Sequence, residues 1–438
     1  MREKTYNKTA ATVKFVLCSL FGLFMFFVKI PFQGTTKLPI DIVTSTVQNW
    51  LTGYYTEVLI VCTIIFLIDF FRKKSWQNTS TTDKVLIGFN FLGAIMILMM
   101  TFHIGPEFMF ADDIIPAAVT NMGRAFVMVY LVTFFMPFLL NFGLVDFFGV
   151  LTRPLMRKIF RLPGRTAVVA VGAFLGNYAI GHIQSNEMYA TGRLTLREAS
   201  VVDIGLCTTS IGLLLTFASS NGMMDHWGLV FFGTAVAVYL TTAILVRVPP
   251  LSKIPDTYCE GVAPSPEEEF KGNLLKEAWD CGVDVAGNAM NPLKAVWVSG
   301  SKSLVMIATV HVSAVSMWVV PAIINKYTPI FYWIGCLFQP LLKLMGMPNA
   351  SELANAIGIC FVNPMSATYG LGALDLAPAA KYFAATFAAP IIIFFGAFLA
   401  SIYSTKVRIK FSHFVFVWFE RAFVVTIILS ALSRLFFM

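Results

Sequence analysis

The chain has 438 residues, of which 57% are hydrophobic and only 13% are charged. Soluble domains carry about 25% charged residues, so this composition excludes an ordinary soluble protein. The net charge of +8 does not indicate nucleic-acid binding, because the basic residues cluster beside apolar runs, at 72–74, 153–165, 193–197 and 406–410. Basic residues in that position mark the cytoplasmic ends of membrane helices.

Nine apolar runs follow along the chain, each close to the roughly 20 residues needed to cross a bilayer. They lie at about 12–30, 53–71, 84–103, 125–145, 198–218, 227–247, 303–323, 380–404 and 412–436. The runs are continuous rather than alternating, which favours helices over a barrel as the backbone that lipid accepts. The sequence therefore predicts an all-α polytopic membrane protein with about nine transmembrane helices and a cytoplasmic N-terminus.

Two stretches of the chain share a residue pattern at a fixed offset of 186 positions. Gly149, Leu151, Pro154, Leu155, Ala170, Gly172 and Asn177 recur as Gly335, Leu337, Pro340, Leu341, Ala356, Gly358 and Asn363, without a gap over 29 positions. Both copies carry Gly, Pro or Asn inside apolar segments, at 168–183 and 354–368. Interrupted segments at matching places in two halves are typical of a transporter's binding site.

The repeat predicts the domain organisation. We expect N-terminal transmembrane helices over 1–124, a first repeat over 125–247, a polar insertion over 248–300 and a second repeat over 301–438. Each interrupted segment is interpreted as a re-entrant helical hairpin, because non-helical backbone at bilayer depth must be buried in protein or face a water-filled cavity.

The crossing count predicts that the two repeats are inverted. Three full crossings, at 198–218, 227–247 and 303–323, separate the amphipathic segments that open the two hairpins. An odd number places Arg161 and Lys343 on opposite sides of the membrane. The hairpin tips at Asn177 and Asn363 then approach one central site from opposite sides.

The insertion has the features of a cytoplasmic amphipathic helix. Ser265 is the expected N-cap and Pro266 the expected first helical residue, with Asn291 and Pro292 as the stop. Phe270, Leu274 and Ala278 fall at helical spacing. The helix is either a connector between the repeats or a regulatory element.

Ten polar side chains within or beside the hairpins are the candidate substrate-binding residues. They are Asn177, Gln184, Ser185, Asn186, Glu187, Thr208, Thr209, Asn363, Ser366 and Thr368. The two asparagines either bind a solute or tie the hairpin tips, since an amide both donates and accepts hydrogen bonds. The run 184–187 either bonds a shielded solute or lies at the cytoplasmic surface.

The residues alone are compatible with two coupling ions, Na⁺ and H⁺. Thr208, Thr209 and Ser210, flanked by glycines, either bind Na⁺ through hydroxyls and freed carbonyls or merely bend their helix. Protons through Glu187 or Asp203 are the alternative, although Asp203 also suits the positive end of its helix.

Signatures of catalysis and of metal binding are missing. HExxH, GxSxG, the Walker lysine loop and GxGxxG do not occur, so we predict no enzyme and no cofactor. The seven cysteines show no CxxC and signal neither a disulfide framework nor a zinc site. His182 and His311 either relay protons or bind substrate, or they are simply packed and hydrogen-bonded. Glu420 and Arg421, inside the last apolar run, either meet partners on other helices or lie shallower in the membrane than the run suggests.

Residues 153–212 resemble YjiH-like bacterial inner-membrane proteins with nucleoside-recognition (Gate) domains. Three motifs carry the likeness most specifically: the Leu-Pro-Gly-Arg-Thr-Ala segment at 162–167, the turn at 187–197 and Thr-Leu-Arg-Glu-Ala at 195–199. The early segments Ile-Pro-Phe at 30–32 and Leu-Pro-Ile-Asp at 38–41 extend the similarity along most of the chain.

The resemblance implies a hairpin-bearing core similar to that of concentrative nucleoside transporters. It implies two sets of matching residues. The first hairpin region is matched by Asn177, Gln184, Ser185 and Asn186, and the second is matched by Asn363, Ser366 and Thr368. We therefore expect a secondary transporter of a small polar solute (nucleoside, amino acid or short peptide) in the bacterial inner membrane. The alternative is a non-transporting Gate-domain scaffold or half-transporter. Expected partners are the lipid bilayer, the solute, and either a second copy of the chain or a second Gate-domain protein.

Overall fold

The computed structural model describes residues 6–33, 35–73, 81–176, 178–207, 210–265, 267, 272–391, 398, 402 and 405–438. Three candidate residues, Asn177, Thr208 and Thr209, lie outside the described residues.

The described residues of the N-terminal part form four α-helices and one short hairpin of strands. In chain order these are α1 (Lys8–Phe27), β1 (Ile30–Phe32), β2 (Thr35–Lys37), α2 (Pro39–Trp50), α3 (Tyr55–Arg72) and α4 (Thr81–Phe102). The strands pair antiparallel, with Ile30 opposite Lys37. The axis bends by 100° between α2 and α3.

The stretch predicted as the first repeat contains seven helices among its described residues. They are α5 (Ile115–Leu140), α6 (Leu144–Leu155), α7 (Thr166–Leu175), α8 (Tyr178–Ala190), α9 (Leu196–Val201), α10 (Ile211–Ser220) and α11 (Trp227–Leu245). A π-helical turn at Met156–Phe160 extends α6, and a second at Val202–Leu206 extends α9.

The insertion and the second repeat follow with eight described helices. They are α12 (Leu274–Asn288), α13 (Pro292–Tyr327), α14 (Ile330–Cys336), α15 (Gln339–Leu344), α16 (Ala350–Cys360), α17 (Pro364–Gly372), α18 (Pro378–Phe387) and α19 (Phe411–Phe437). The long helix α13 packs along α3, α4 and α5. The largest buried apolar cluster joins α16 to α19 with residues of α9, α10 and α11, so the two repeats share one core.

Six described helices are long and apolar enough to cross a membrane, or seven if α2 and α3 form one bent span. Nine apolar runs are predicted from the sequence, and parts of two of them, at 84–103 and 380–404, fall on residues or side chains outside the described part of the chain. Within α4, the stretch Ile87–Phe102 counts as a shorter apolar helix among the described residues. Residues 392–397, in the run predicted at 380–404, lie outside the described part of the chain. The prediction of an all-α polytopic membrane protein is confirmed.

The 186-residue offset recurs in the helix boundaries. Helix α6 begins at Leu144 and α14 at Ile330, and α8 begins at Tyr178 and α17 at Pro364, a difference of 186 in both cases. In each copy a glycine lets two helices touch. A Cβ on Gly149 would lie 2.8 Å from the Val168 Cα, and a Cβ on Gly335 would lie 2.8 Å from the carbonyl carbon of the equivalent residue, Ala354.

A second pair of glycines repeats the same helix contact one layer further along. Gly172 faces Val145, and Gly358 faces the equivalent Phe331. The spacing differs, because a Cβ on Gly172 would meet the Val145 side chain at 3.6 Å whereas a Cβ on Gly358 would lie 2.9 Å from the Phe331 carbonyl carbon. The packing of α6 on α7 is thus reproduced by α14 on α16, with a tighter approach in the second copy.

The insertion helix begins later than the sequence predicts. Ser265 and Glu267 are not helical, and the helix starts at Leu274 with Asn273 as its N-cap, whose side chain accepts from the Leu275 and Lys276 N–H groups at 3.0 and 3.2 Å. Phe270 and Pro266 lie outside the described residues. Asparagine caps as well as serine does, so residue type alone did not distinguish the two starts.

Asn291 and Pro292 mark a helix start rather than the predicted stop. The chain leaves α12 after Asn288, and the Asn291 side chain caps α13 by accepting from the Leu293 N–H at 3.0 Å. Proline is favoured at the first position of a helix because its missing N–H would have no helical partner there.

Ion pairs attach the insertion to the basic loop of the first repeat. Glu277 pairs with Arg153 at 2.6 Å, and Glu267 pairs with Arg157 at 3.0 Å and accepts from the Gly164 N–H at 2.6 Å. One face of α12 is buried against α1 and α6.

Candidate functional site

A transmembrane helix of the first repeat is interrupted near its middle. The helix of α9 widens into the π turn at Val202–Leu206, Cys207 is extended, and α10 begins at Ile211 with Ser210 as its N-cap. The Ser210 hydroxyl accepts from the Leu213 N–H at 3.3 Å. The glycines and hydroxyls at 205–212 predicted local unwinding here, and the break frees backbone carbonyls inside a membrane segment.

Arg421 of α19 binds those freed carbonyls. It is fully buried, and its guanidinium donates to the Ile204 carbonyl at 3.3 Å and to the Gly205 carbonyl at 3.1 Å. Its Nε donates to the carbonyl of Pro390, just beyond α18. Ile204 and Pro390 are 186 positions apart, so one guanidinium joins equivalent points of the two repeats. The expectation that Arg421 meets other helices is confirmed.

The polar run 184–187 does not face one site. Gln184 and Glu187 are exposed on α8, whereas Ser185 is fully buried. Asn186 accepts from the backbone N–H of Lys406 at 2.7 Å. Successive helical residues point about 100° apart, so four in a row cannot converge on a single solute; sequence adjacency overstated their proximity.

Ser185 instead joins a buried group of chemically reactive side chains. His182 on α8, Asp203 in the π turn and Cys207 at the helix break each offer one ligand atom, and these atoms lie within 4.8 Å of one another. The ring of His182 is held against the π turn, its Nε2 lying 3.4 Å from the Asp203 carbonyl oxygen. Asp203 therefore lies in a buried turn rather than in the first turn of a helix, where the sequence suggested a role with the dipole.

At the second hairpin, Asn363 has its hydrogen bonds made within the protein. Its Oδ1 caps α17 by accepting from the Met365 N–H at 2.9 Å and the Ser366 N–H at 3.4 Å. Its Nδ2 donates to the Met317 carbonyl of α13 at 2.7 Å. These contacts favour the interpretation that Asn363 ties the hairpin turn over the interpretation that it binds a solute.

The hydroxyl of Thr368 is also engaged locally. It is buried and donates to the carbonyl of Pro364 one turn earlier, at 2.9 Å. The same holds for His311 of α13, whose Nδ1 lies 2.8 Å from the Ile307 carbonyl oxygen and whose ring packs edge-on against Phe126. Both side chains fit the packed, hydrogen-bonded alternative.

Three buried polar atoms near α17 have no hydrogen-bond partner among the described residues. They are Ser366 Oγ, Tyr369 Oη and Asn221 Oδ1. Ser366 and Tyr369 are three positions apart and therefore share a face of the helix. Asn221, at the end of α10, is close by, because its Nδ2 lies 3.4 Å from the Thr368 carbonyl oxygen. Trp318 of α13 lies beside the Tyr369 ring at 5.7 Å between centroids.

Sequence reasoning missed Cys207 and Tyr369 as site residues. Cys207 has no CxxC spacing, so its residue type alone indicates only a small apolar side chain. Tyr369 lies next to the predicted Thr368, and only the helical spacing from Ser366 could have singled it out.

No family model matches the chain. An uncharacterized protein of Alkalihalophilus pseudofirmus is 27% identical over 455 residues, covering 100% of this chain and 97% of that protein. Among solved structures, a variant of CNTnw, a concentrative nucleoside transporter, in its intermediate 2 state is similar with a TM-score of 0.47 and 12% identity, over 100% of this chain and 95% of that one. Another CNTnw variant in an outward-facing state gives a TM-score of 0.40 at 13% identity, over 97% and 100% of the two chains.

Proposed function

We propose that the protein is a secondary transporter that moves a small polar solute across the bacterial inner membrane by alternating access. One observation carries the proposal: two copies of one helical unit, matched contact by contact, are joined at their equivalent breaks by Arg421. Two equivalent halves around a fixed site can exchange inward-facing and outward-facing arrangements.

The unpartnered polar atoms along α17 support a solute site at the second hairpin. A buried hydroxyl or amide without a partner costs roughly 1–3 kcal/mol, and a bound solute that supplies the partner removes that cost. The hydroxyls of Ser366 and Tyr369 and the amide oxygen of Asn221 suit a solute with both donors and acceptors, such as a nucleoside, an amino acid or a short peptide. The adjacent Trp318 ring offers an apolar wall.

Uptake by the purified protein in liposomes, screened with a library of small polar solutes, tests transport directly. For a solute that is taken up, Ser366→Ala and Tyr369→Phe should raise the concentration for half-maximal uptake about five- to tenfold, the worth of one hydrogen bond. Tyr382→Phe is the matched control, because the buried Tyr382 hydroxyl already donates to the Leu229 carbonyl at 3.1 Å. If the concentration for half-maximal uptake changed equally in all three variants, or did not change in Ser366→Ala and Tyr369→Phe, the solute site would not lie along α17.

The inverted orientation of the repeats has its own test. Single cysteines at Arg161 and Lys343, both exposed, should react with a membrane-impermeant thiol reagent from opposite sides of the membrane, with Arg161 inside. Because Arg161 has a φ of 56°, a cysteine at the neighbouring exposed Lys158 serves as the second probe of that side. Labelling of both repeats from one side would contradict the inverted arrangement.

A further inference from the structure

We propose that His182, Asp203 and Cys207 form a binding site for one divalent transition-metal ion, such as Zn²⁺ or Co²⁺. Neither transport nor the repeat requires such a site. The three side chains come from two elements, α8 and the broken helix after α9, and all three are buried.

The geometry is close to that of a tetrahedral site. With metal–ligand distances of about 2.0–2.3 Å for N, O and S donors, ligand atoms in such a site are roughly 3.5 Å apart. The three atoms already lie within 4.8 Å of one another, so shifts of about 1 Å or less bring them to the metal. Three protein ligands leave the fourth position for water or another small ligand.

The backbone of the π turn and of the extended residue after it fixes the positions of Asp203 and Cys207. The π turn ends with the Cys207 N–H bonded to the Val202 carbonyl at 3.0 Å, and the extended backbone of Cys207 follows. Such π turns occur frequently at functional sites. Gly181 makes room on α8, because a Cβ there would overlap the Cys207 sulfur and lie 3.0 Å from the Ala173 Cβ.

The state of Asp203 is the second, independent observation. Apart from the neighbouring Ser185 hydroxyl, neither of its carboxylate oxygens has a hydrogen-bond partner among the described residues, although the carboxylate is fully buried. Ser185 lies beside it, but its single hydroxyl hydrogen is also directed to the Ala199 carbonyl, at 3.4 Å. A buried carboxylate without donors is costly, and coordination of a cation is one of the few ways to stabilise it.

The donor set selects the kind of metal. An imidazole, a carboxylate and a thiolate together suit zinc and similar transition metals, whereas Mg²⁺ and Ca²⁺ prefer oxygen ligands alone. A divalent ion with one carboxylate, one thiolate and a neutral histidine has no net charge, which suits an apolar membrane interior. The rings of Tyr178 and Phe398, at 5.5 and 4.9 Å from the His182 ring, supply an apolar shell.

The test uses the purified full-length protein after chelator treatment. Added Co²⁺ should bind at one ion per chain and give the thiolate charge-transfer band and the intense visible bands of tetrahedral cobalt. Cys207→Ser should abolish the charge-transfer band, and His182→Ala and Asp203→Asn should weaken binding at least tenfold, since even the outer partners of ligands are worth 10–100-fold. Cys360→Ser and His311→Ala remove a buried thiol and a buried imidazole elsewhere and should change neither.

A measurement on the unmutated protein keeps the proposal testable if a variant fails to fold. X-ray absorption at the zinc edge of the zinc-loaded protein should show one sulfur neighbour together with nitrogen or oxygen neighbours. Binding no tighter than to the Cys207→Ser variant, a spectrum without sulfur, or a thiolate band that survives Cys207→Ser would overturn the assignment.

Discussion

The two repeats share their close packing and differ in their chemistry. Gly149 and Gly335 make the same helix contact at equivalent positions. In contrast, the positions equivalent to His182 and Asp203 hold Thr368 and Ala389, and the position equivalent to Arg421 holds Ala235. The glycines that let helices touch recur in both copies, whereas His182, Asp203 and Arg421 have no counterpart of the same type in the other copy.

The contrast shows that a repeated residue indicates helix packing rather than ligand binding. A shared glycine at a close helix contact, such as Gly149 or Gly335, reports a packing constraint, because a side chain there would displace the neighbouring helix. It carries no information about ligands, which need be present only once. Mutations that treat equivalent positions alike therefore test the packing, and mutations of the unshared residues test the chemistry.

The largest effect is expected at Arg421, which joins the equivalent points Ile204 and Pro390 of the two repeats. Arg421→Met removes the guanidinium from the carbonyls of Ile204, Gly205 and Pro390, of which Gly205 still accepts from the Thr242 hydroxyl at 2.7 Å, and each buried carbonyl left without a donor costs about 1–3 kcal/mol. The stability of Arg421→Lys should lie between those of Arg421→Met and the unmutated protein, because one ammonium group cannot reproduce the planar fork of guanidinium donors. Thermal unfolding in detergent, followed by tryptophan fluorescence, measures both.

Arg434→Ala on the same helix is the control. Arg434 is exposed and donates to the Met345 carbonyl at 3.0 Å, so its loss should change the melting temperature little. Equal melting temperatures for Arg421→Met and the unmutated protein would show that the guanidinium does not hold the two breaks together.

The second prediction compares alanine at equivalent glycines. Gly358→Ala places a methyl group 2.9 Å from the Phe331 carbonyl carbon and should destabilise the protein by about 1–3 kcal/mol, as overpacking does. Gly172→Ala meets Val145 at an ordinary 3.6 Å and should be neutral or stabilising by up to about 1 kcal/mol, because alanine favours the helix. Apparent melting temperatures of the two variants provide the measurement. A reversed order would mean that the second repeat is not the more tightly packed.

Much of this packing could be predicted from the sequence, because the same residue pattern recurs at a fixed offset of 186 positions. The gapless offset from Gly149 to Asn177 predicted equivalent helices, and the glycines near Gly205 predicted the break in the helix. These features depend on the local backbone, which residue type controls directly. Hydropathy alone does not separate a full crossing from a shorter apolar helix, so the six or seven spans among the described residues could be told from the nine apolar runs only with the structure.

The chemistry could be predicted only in part. Asp203 and His182 were singled out separately, yet their convergence with Cys207 depends on a π turn that shifts the register of the helix. The run at 184–187 was overvalued, because adjacency in sequence is not adjacency on a helix. The targets of Arg421, carbonyls on two other segments, depend on the tertiary fold alone.

Two variants of Asn363 test whether this asparagine only ties the hairpin turn or also binds the solute. Asn363→Ala removes the cap of α17 and the bond to the Met317 carbonyl and should cost about 1–2 kcal/mol. Asn363→Asp keeps the capping oxygen but not the donor, so it should recover part of the stability. If Asn363 only ties the turn, uptake by both variants should scale with the folded fraction measured by size-exclusion chromatography. A changed solute preference in a fully folded variant would instead assign Asn363 to the solute site.

The smallest effect concerns the loops that open the two repeats. The first is paired to the insertion through Arg153 and Glu277, both partly exposed at 28% and 30%, whereas the equivalent loop of the second repeat carries the exposed Lys343, for which no ion pair occurs among the described residues. Glu277→Gln should lower stability by less than about 1 kcal/mol, the usual worth of a partly exposed pair. Because salt screens such pairs, the difference in melting temperature should shrink in high salt, and Lys343→Gln should show none at any salt concentration. A Glu277→Gln effect that persists undiminished in high salt would indicate that α12 holds the first repeat by packing rather than by charge.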